Sequence, residues 1–157
     1  MAKKPAVSAQ SVAPSENMFT NRVLQSVIET VNVLIANKVP FGANNGHKIV
    51  TLATACQNAF APAARLLEEY SKDAQERIKA IVEPFGEDSA ALEADASAKK
   101  AIEALNSEYV AKVNELMAIE VPVDYKPITM DVFRTSDGKQ VDLDLGTIVT
   151  FNNFIKG

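Results

Sequence analysis

The chain has 157 residues, 47% of them hydrophobic and 23% charged, with a net charge of −4. That is enough for one globular domain with an appendage, folding without a disulfide or metal, and its acidic balance argues against a general nucleic-acid binder, which needs Lys and Arg to neutralise phosphates. The single cysteine, Cys56, rules out an internal disulfide and suits a reducing compartment or the inside of a particle, and no apolar run approaches the ~20 residues that span a bilayer.

Residues 1–14 are small, polar and punctuated by proline, which predicts a flexible N-terminal arm. They include two lysines but no apolar core, so they do not read as a secretory signal. A helical domain follows over residues 15–118. Ser15 is placed to cap its first helix, and Phe19, Val23, Leu24, Val27, Ile28, Val31, Leu34 and Ile35 give a wide apolar stripe. Pro40 disfavours helical geometry at Val39, so this helix should end near Asn37. FGANNG, residues 41–46, then reads as a tight loop.

A second helix is expected from about residues 45–47 to Glu83, carrying a stripe through Ile49, Leu52, Cys56, Phe60, Leu67, Tyr70, Ile78 and Ile81. At ~1.5 Å per residue it would be about 55 Å long, with a kink expected at Pro62. Pro84, Phe85 and Gly86 stop it. Asp88 or Ser89 can cap a third helix reaching Ala118, and the two long helices would form an antiparallel hairpin on which the first packs.

Over residues 119–157 the apolar period changes from 3.6 to 2. Val121, Val123, Tyr125, Ile128, Met130 and Val132 alternate with polar residues or proline, and a turn at Ser136, Asp137, Gly138 and Lys139 leads to Val141, Leu143 and Leu145. The expectation is a C-terminal β-hairpin, then a short helix capped by Thr147. The fold class is therefore α+β, mainly α, built as a three-helix assembly with a small β unit. Small sheets need a packing surface, and Pro122 and Pro127 confine this strand to an edge. The candidate interface is accordingly Val121, Val123, Tyr125, Ile128 and Met130, with self-association by strand addition in view.

Chemistry-bearing motifs are sparse. GANNGHK resembles a phosphate loop but lacks the preceding strand and the Ser or Thr after Lys48. What remains is a candidate anion site at a helix start, made by Gly46, His47 and Lys48. His47 is the sole histidine, which excludes a two-histidine metal site in one chain, and Cys56 sits on an apolar stripe rather than beside a base. Asp124, Asp131, Asp142 and Asp144 fit the wet face of a half-buried sheet better than a calcium site. No catalytic residue, metal or cofactor is assigned.

Four stretches carry a family resemblance: LIANKVP at residues 34–40, ARLLEEY at 64–70, LNSEYVAKVNELMAIEVPVDYKPI at 105–128 and GTIVTFNNFI at 146–155. In their order the chain resembles a family of small tailed-bacteriophage proteins of unknown function, departing from it at residues 84–98 and at FGANNG. The resemblance implies a non-enzymatic phage product in the virion or host cytoplasm. Its first implied role is a structural or assembly protein, an adaptor, tail or particle component that self-associates and binds other phage proteins. The alternative is a small intracellular protein that counters a host defence by binding a nucleotide signal or a host enzyme. Neither role calls for direct nucleic-acid or membrane contact.

Overall fold

The computed structural model describes residues 17–156; the expected arm at residues 1–14 and the Ser15 cap lie outside them. The elements in order are β1 (Met18–Thr20), α1 (Asn21–Ala36), α2 (Ala43–Val82), a 3-10 turn (Glu83–Phe85), α3 (Ser89–Ala94), α4 (Ala96–Ala118), β2 (Glu120–Pro122), a second 3-10 turn (Met130–Val132) and α5 (Leu145–Asn152). The protein is α+β and mainly α, as expected, with the long α2 and α4 packed on each other, α1 packed across both, and α5 closing over α1.

Helix α1 begins later than the stripe suggests. Thr20 caps it, its side chain accepting from the Val23 N–H at 3.3 Å. The residues before it form β1, so Phe19 belongs to a strand and not to the first helix. At the other end, Lys38 adopts φ +52, and its N–H bonds to the Ile35 carbonyl while that of Val39 bonds to Leu34. These two bonds close the helix in a Schellman motif, with lysine where glycine is usual. Pro40 follows two residues beyond.

Helix α2 is continuous through Pro62 over 40 residues, or roughly 60 Å. The expected third helix is two. Asp95 takes an extended conformation and its carboxylate accepts from the Ala98 N–H at 2.8 Å, starting α4, while Asp88 caps α3 through Ala91. A side chain that satisfies a helix's free N–H from outside competes with continuing the previous helix, and the Ala-rich stretch there buries too little to overrule it.

The β unit is the main correction. Strand β2 pairs antiparallel with β1, with Met18 opposite Pro122 and Phe19 opposite Val121. It does not form a hairpin with residues downstream. Residues 128–145 contribute one antiparallel bridge, Arg134 to Gln140, around the expected turn, and Ile128 forms a parallel bridge with Ile155. Strict alternation would send one of any two neighbours outward, yet Val132 and Phe133 are each 1% exposed. The 3-10 turn buries both, which a strand could not do. Similarly, α5 is capped by Asp144 rather than Thr147, whose N–H and hydroxyl both donate to that carboxylate.

The core gathers at one end of the molecule. Leu24, Val27, Val31 and Leu34 from α1 meet Ile49, Leu52 and Cys56 from α2, Val123 and Ile128 after β2, and Phe133, Phe151 and Phe154. Phe19 stacks on Phe154 at 4.4 Å between centroids, and Tyr125 packs edge-on to both. Asn21 ties the helical layers together: its N–H bonds to the Ile119 carbonyl at 2.9 Å and its Nδ2 to the Leu116 carbonyl at 2.8 Å. Beyond Ala63, α2 leaves this core and runs with α3 and α4 as a two-helix arm. Among the described residues of that arm only Ala98 and Leu105 are buried apolar positions, while Leu67, Tyr70, Ala74, Ile78, Ile102 and Tyr109 stay half-buried.

Candidate functional site

The first turns of α2 and the stretch after β2 enclose a groove. His47, Thr51 and Ala55 recur at helical spacing along one flank of α2, and Pro122, Asp124, Tyr125, Lys126, Pro127 and Ile128 form the facing wall. The groove has two connected ends that share His47, Thr51, Ala55 and Asp124. One end, with Lys48 and Lys126, encloses about 520 Å³; the other, with Thr54, Asn58 and Pro122, about 670 Å³.

This arrangement follows from local rules. Val121 and Val123 point into the core, so Glu120, Pro122, Asp124 and Lys126 are exposed on the other side of the alternation. On α2, burial of Ile49, Leu52 and Cys56 leaves the row through positions 47, 51 and 55 on the flank. No β1 residue lines the groove, which places it on the side of β2 that β1 leaves open. Among the described residues, the side chains of His47, Lys48, Asp124 and Lys126 make no hydrogen bond or ion pair. Lys48 acts at longer range on Asp131, whose carboxyl lies below its usual range chiefly through the Thr129 hydroxyl, then its own N–H, and also Lys48 and Arg134.

The two sequence-level candidates thus meet here, in altered form. The anion site is not built as expected, because α2 starts at Ala43 and not near residue 46. The Gly46 N–H already donates to the Gly42 carbonyl at 2.8 Å, so it is one turn inside the helix and committed. The helix start itself is docked on the C-terminal unit: Gly42 N–H donates to the Arg134 carbonyl at 3.0 Å, and Asn45 Nδ2 to the carbonyls of Arg134 and Asp131. His47 and Lys48 are exposed and reach the groove with their side chains alone.

The candidate interface also divides. Val123 and Ile128 are 2% and 3% exposed and belong to the chain's own core, so they present nothing to a partner. Val121 and Tyr125 are half-buried against that core, and Met130 is exposed. Alternation identifies an inward face but not whose inward face it is. Asp124, Lys126 and Thr51 carry no signal as groove residues, since the two walls lie far apart in sequence and neither contains a motif.

Cys56 is fully buried and desolvation pushes its thiol up to about 12, so it is protonated and shielded rather than a nucleophile. The four aspartates have separate surroundings: Asp144 caps α5, Asp131 lies by Thr129, Asp142 borders a pocket with Met130 and Ile148, and Asp124 lines the groove. Among the described residues, no cluster of three or more His, Cys, Asp or Glu could hold a metal, and no helix is long and apolar enough to cross a membrane. Comparison of the chain with protein-family models, with curated proteins and with solved structures finds no match.

Proposed function

We propose that this protein acts by association rather than catalysis, as a self-associating structural or assembly component of the phage type its sequence resembles. The observation that carries the proposal is the arm. Two helices packed only on each other cover one stripe apiece, and here even that stripe is half-exposed along Leu67, Tyr70, Ala74 and Ile78. Leu66 and Val110 on the same arm are 37% and 54% exposed. Two such hairpins packed together make a four-helix bundle, the common solution for helices that cannot bury their apolar faces alone. A two-fold arrangement lets the same surface serve both copies.

The test is native mass by light scattering on the full chain and on the Leu66→Glu/Val110→Glu variant. Both positions are exposed, so the fold should tolerate the charges. A multimer that falls to a monomer in the variant supports the proposal. A wild-type monomer at high micromolar concentration overturns it, as does a multimer indifferent to both charges.

A further inference from the structure

The groove beside β2 has a second property besides its volume: its wall, Pro122 and the residues that follow β2, carries backbone groups without backbone partners. The bonds from Val123 N–H to the Asn17 carbonyl and from Asn21 N–H to the Ile119 carbonyl turn the odd-numbered residues of β2 toward β1. The even-numbered residues therefore direct their backbone groups to the open side. Pro122 is one of them and brings no N–H, while Asp124 has the same parity and keeps its own. Among the described residues, the N–H groups of Asp124, Tyr125 and Lys126 and the carbonyls of residues 122–127 make no backbone hydrogen bond.

Backbone donors and acceptors left free just beyond a strand end, facing a helix flank across a groove, can capture a peptide as an added strand. The side chains narrow the choice of peptide. Lys48 and Lys126 line the groove without an ion pair, joined by His47; Asp124 is the one carboxylate in the lining, and Asp131 acts on Lys48 only at longer range, on a chain whose overall charge is −4. Tyr125 is committed edge-on to Phe19 and Phe154, so it offers no free ring on which a planar ligand could stack. We infer that the groove between α2 and residues 122–128 is a docking site for an extended segment of another protein that carries an acidic side chain. The peptide backbone adds to the open edge at Asp124, its alternate apolar side chains lie over Ala55, Ala59 and Pro122, and its carboxylate meets Lys48 and Lys126. Pro122 limits the register by leaving one edge position without a donor.

The inference is independent of self-association through the arm. The experiment selects a surface-displayed library of random decapeptides on the full-length protein and measures the best peptide against variants. The expected peptides are free of internal proline, alternate in apolar character and contain Asp or Glu. Lys48→Glu/Lys126→Glu, at exposed positions, should weaken binding at least tenfold. Asp124→Pro, which removes the edge N–H, should do the same, while Asp124→Ala, which keeps it, should bind as well as wild type or better. Amide exchange at Asp124 should slow on binding. Failure to enrich any peptide, selection of basic peptides, or equal binding by Asp124→Pro and Asp124→Ala would each overturn the inference. The Leu66→Glu/Val110→Glu variant should still bind the peptide, which separates this site from the arm.

Discussion

Asn21 is 2% exposed, and its Nδ2 donates to the Leu116 carbonyl at 2.8 Å while its Oδ1 has no partner among the described residues. The substitution Asn21→Asp changes the chemistry of the side-chain tip and almost no volume. At neutral pH a carboxylate oxygen then faces a carbonyl, with the hydrogen bond lost and a charge desolvated. Leaving a buried acceptor unmatched costs ~1–3 kcal/mol. Burying the charge costs more, but the group has an escape, since protonating a carboxyl of ordinary pKa near 3.9 costs about 4 kcal/mol at pH 7. That figure caps the extra penalty. The protonated acid can donate to Leu116 in place of the amide, so the variant should approach wild-type stability at low pH. Burial raises the folded-state pKa of the new carboxyl above its unfolded value, so the unfolded chain releases its proton first as pH rises. Stability relative to wild type is therefore retained below about pH 4 and falls as pH rises from there through the folded pKa, by up to ~1.4 kcal/mol per pH unit. Urea unfolding of both proteins between pH 4 and 7, followed by helical circular dichroism, reads the difference directly. A loss that does not vary with pH, or no loss at pH 7, would refute this account of the Asn21 tie.

Other contacts can be probed by single substitutions. Gly42→Ala should destabilise by ~1–3 kcal/mol, because a Cβ there would lie 3.3 Å from the Ser136 backbone, whereas Gly46→Ala, inside α2 with its nearest neighbour at 3.7 Å, should stabilise by ~0.5–1 kcal/mol in the same melts. Lys38→Gly should raise the melting temperature by relieving φ +52 at the end of α1; a clear decrease would count against the strain. Asp144→Ala should lower the melting temperature, and the wild type's advantage should disappear at acid pH. Its carboxyl is held below the usual range by the Thr147 N–H and hydroxyl, so its contribution is present above the unfolded pKa and is lost as pH falls through the folded one. Cys56 should resist an aromatic disulfide reagent in the native protein and react in denaturant, since the thiol is buried and fully protonated at neutral pH.

The helices are legible in the sequence, because a long apolar stripe leaves little freedom in where it must be buried. Pro40 and the residues around Pro84 end them close to where they do end. The strand at Val121 is legible as a strand, but its partner is not. Met18 and Phe19 continue the apolar row of α1, and only the Thr20 cap and long-range pairing show that they are extended. The expected hairpin fails for a related reason: alternation at Ile128, Met130 and Val132 is equally compatible with a turn once Phe133 is buried beside Val132. As for the site, Lys48 and His47 stand out by type, yet their counterpart Lys126 carries no local signal. Bringing it to them depends on how β2 is held against α2, which belongs to the fold and not to either segment.

The clasp of β1 and β2 joins residues 18–20 to residues 120–122, so α1, α2 and the arm all lie within one loop closed at its base. For a chain, the entropy of closing such a loop grows only with the logarithm of its length, about 0.6 kcal/mol for each doubling. Insertions or deletions of whole helical turns, matched between α2 and α4, would hardly alter the stability of the clasp. The arm is then a spacer whose reach evolution or engineering can retune while the core and groove at its base stay fixed. The kinetic side is less forgiving: a contact spanning about a hundred residues should form late, after the local helical hairpin, and slow folding relative to a simple bundle.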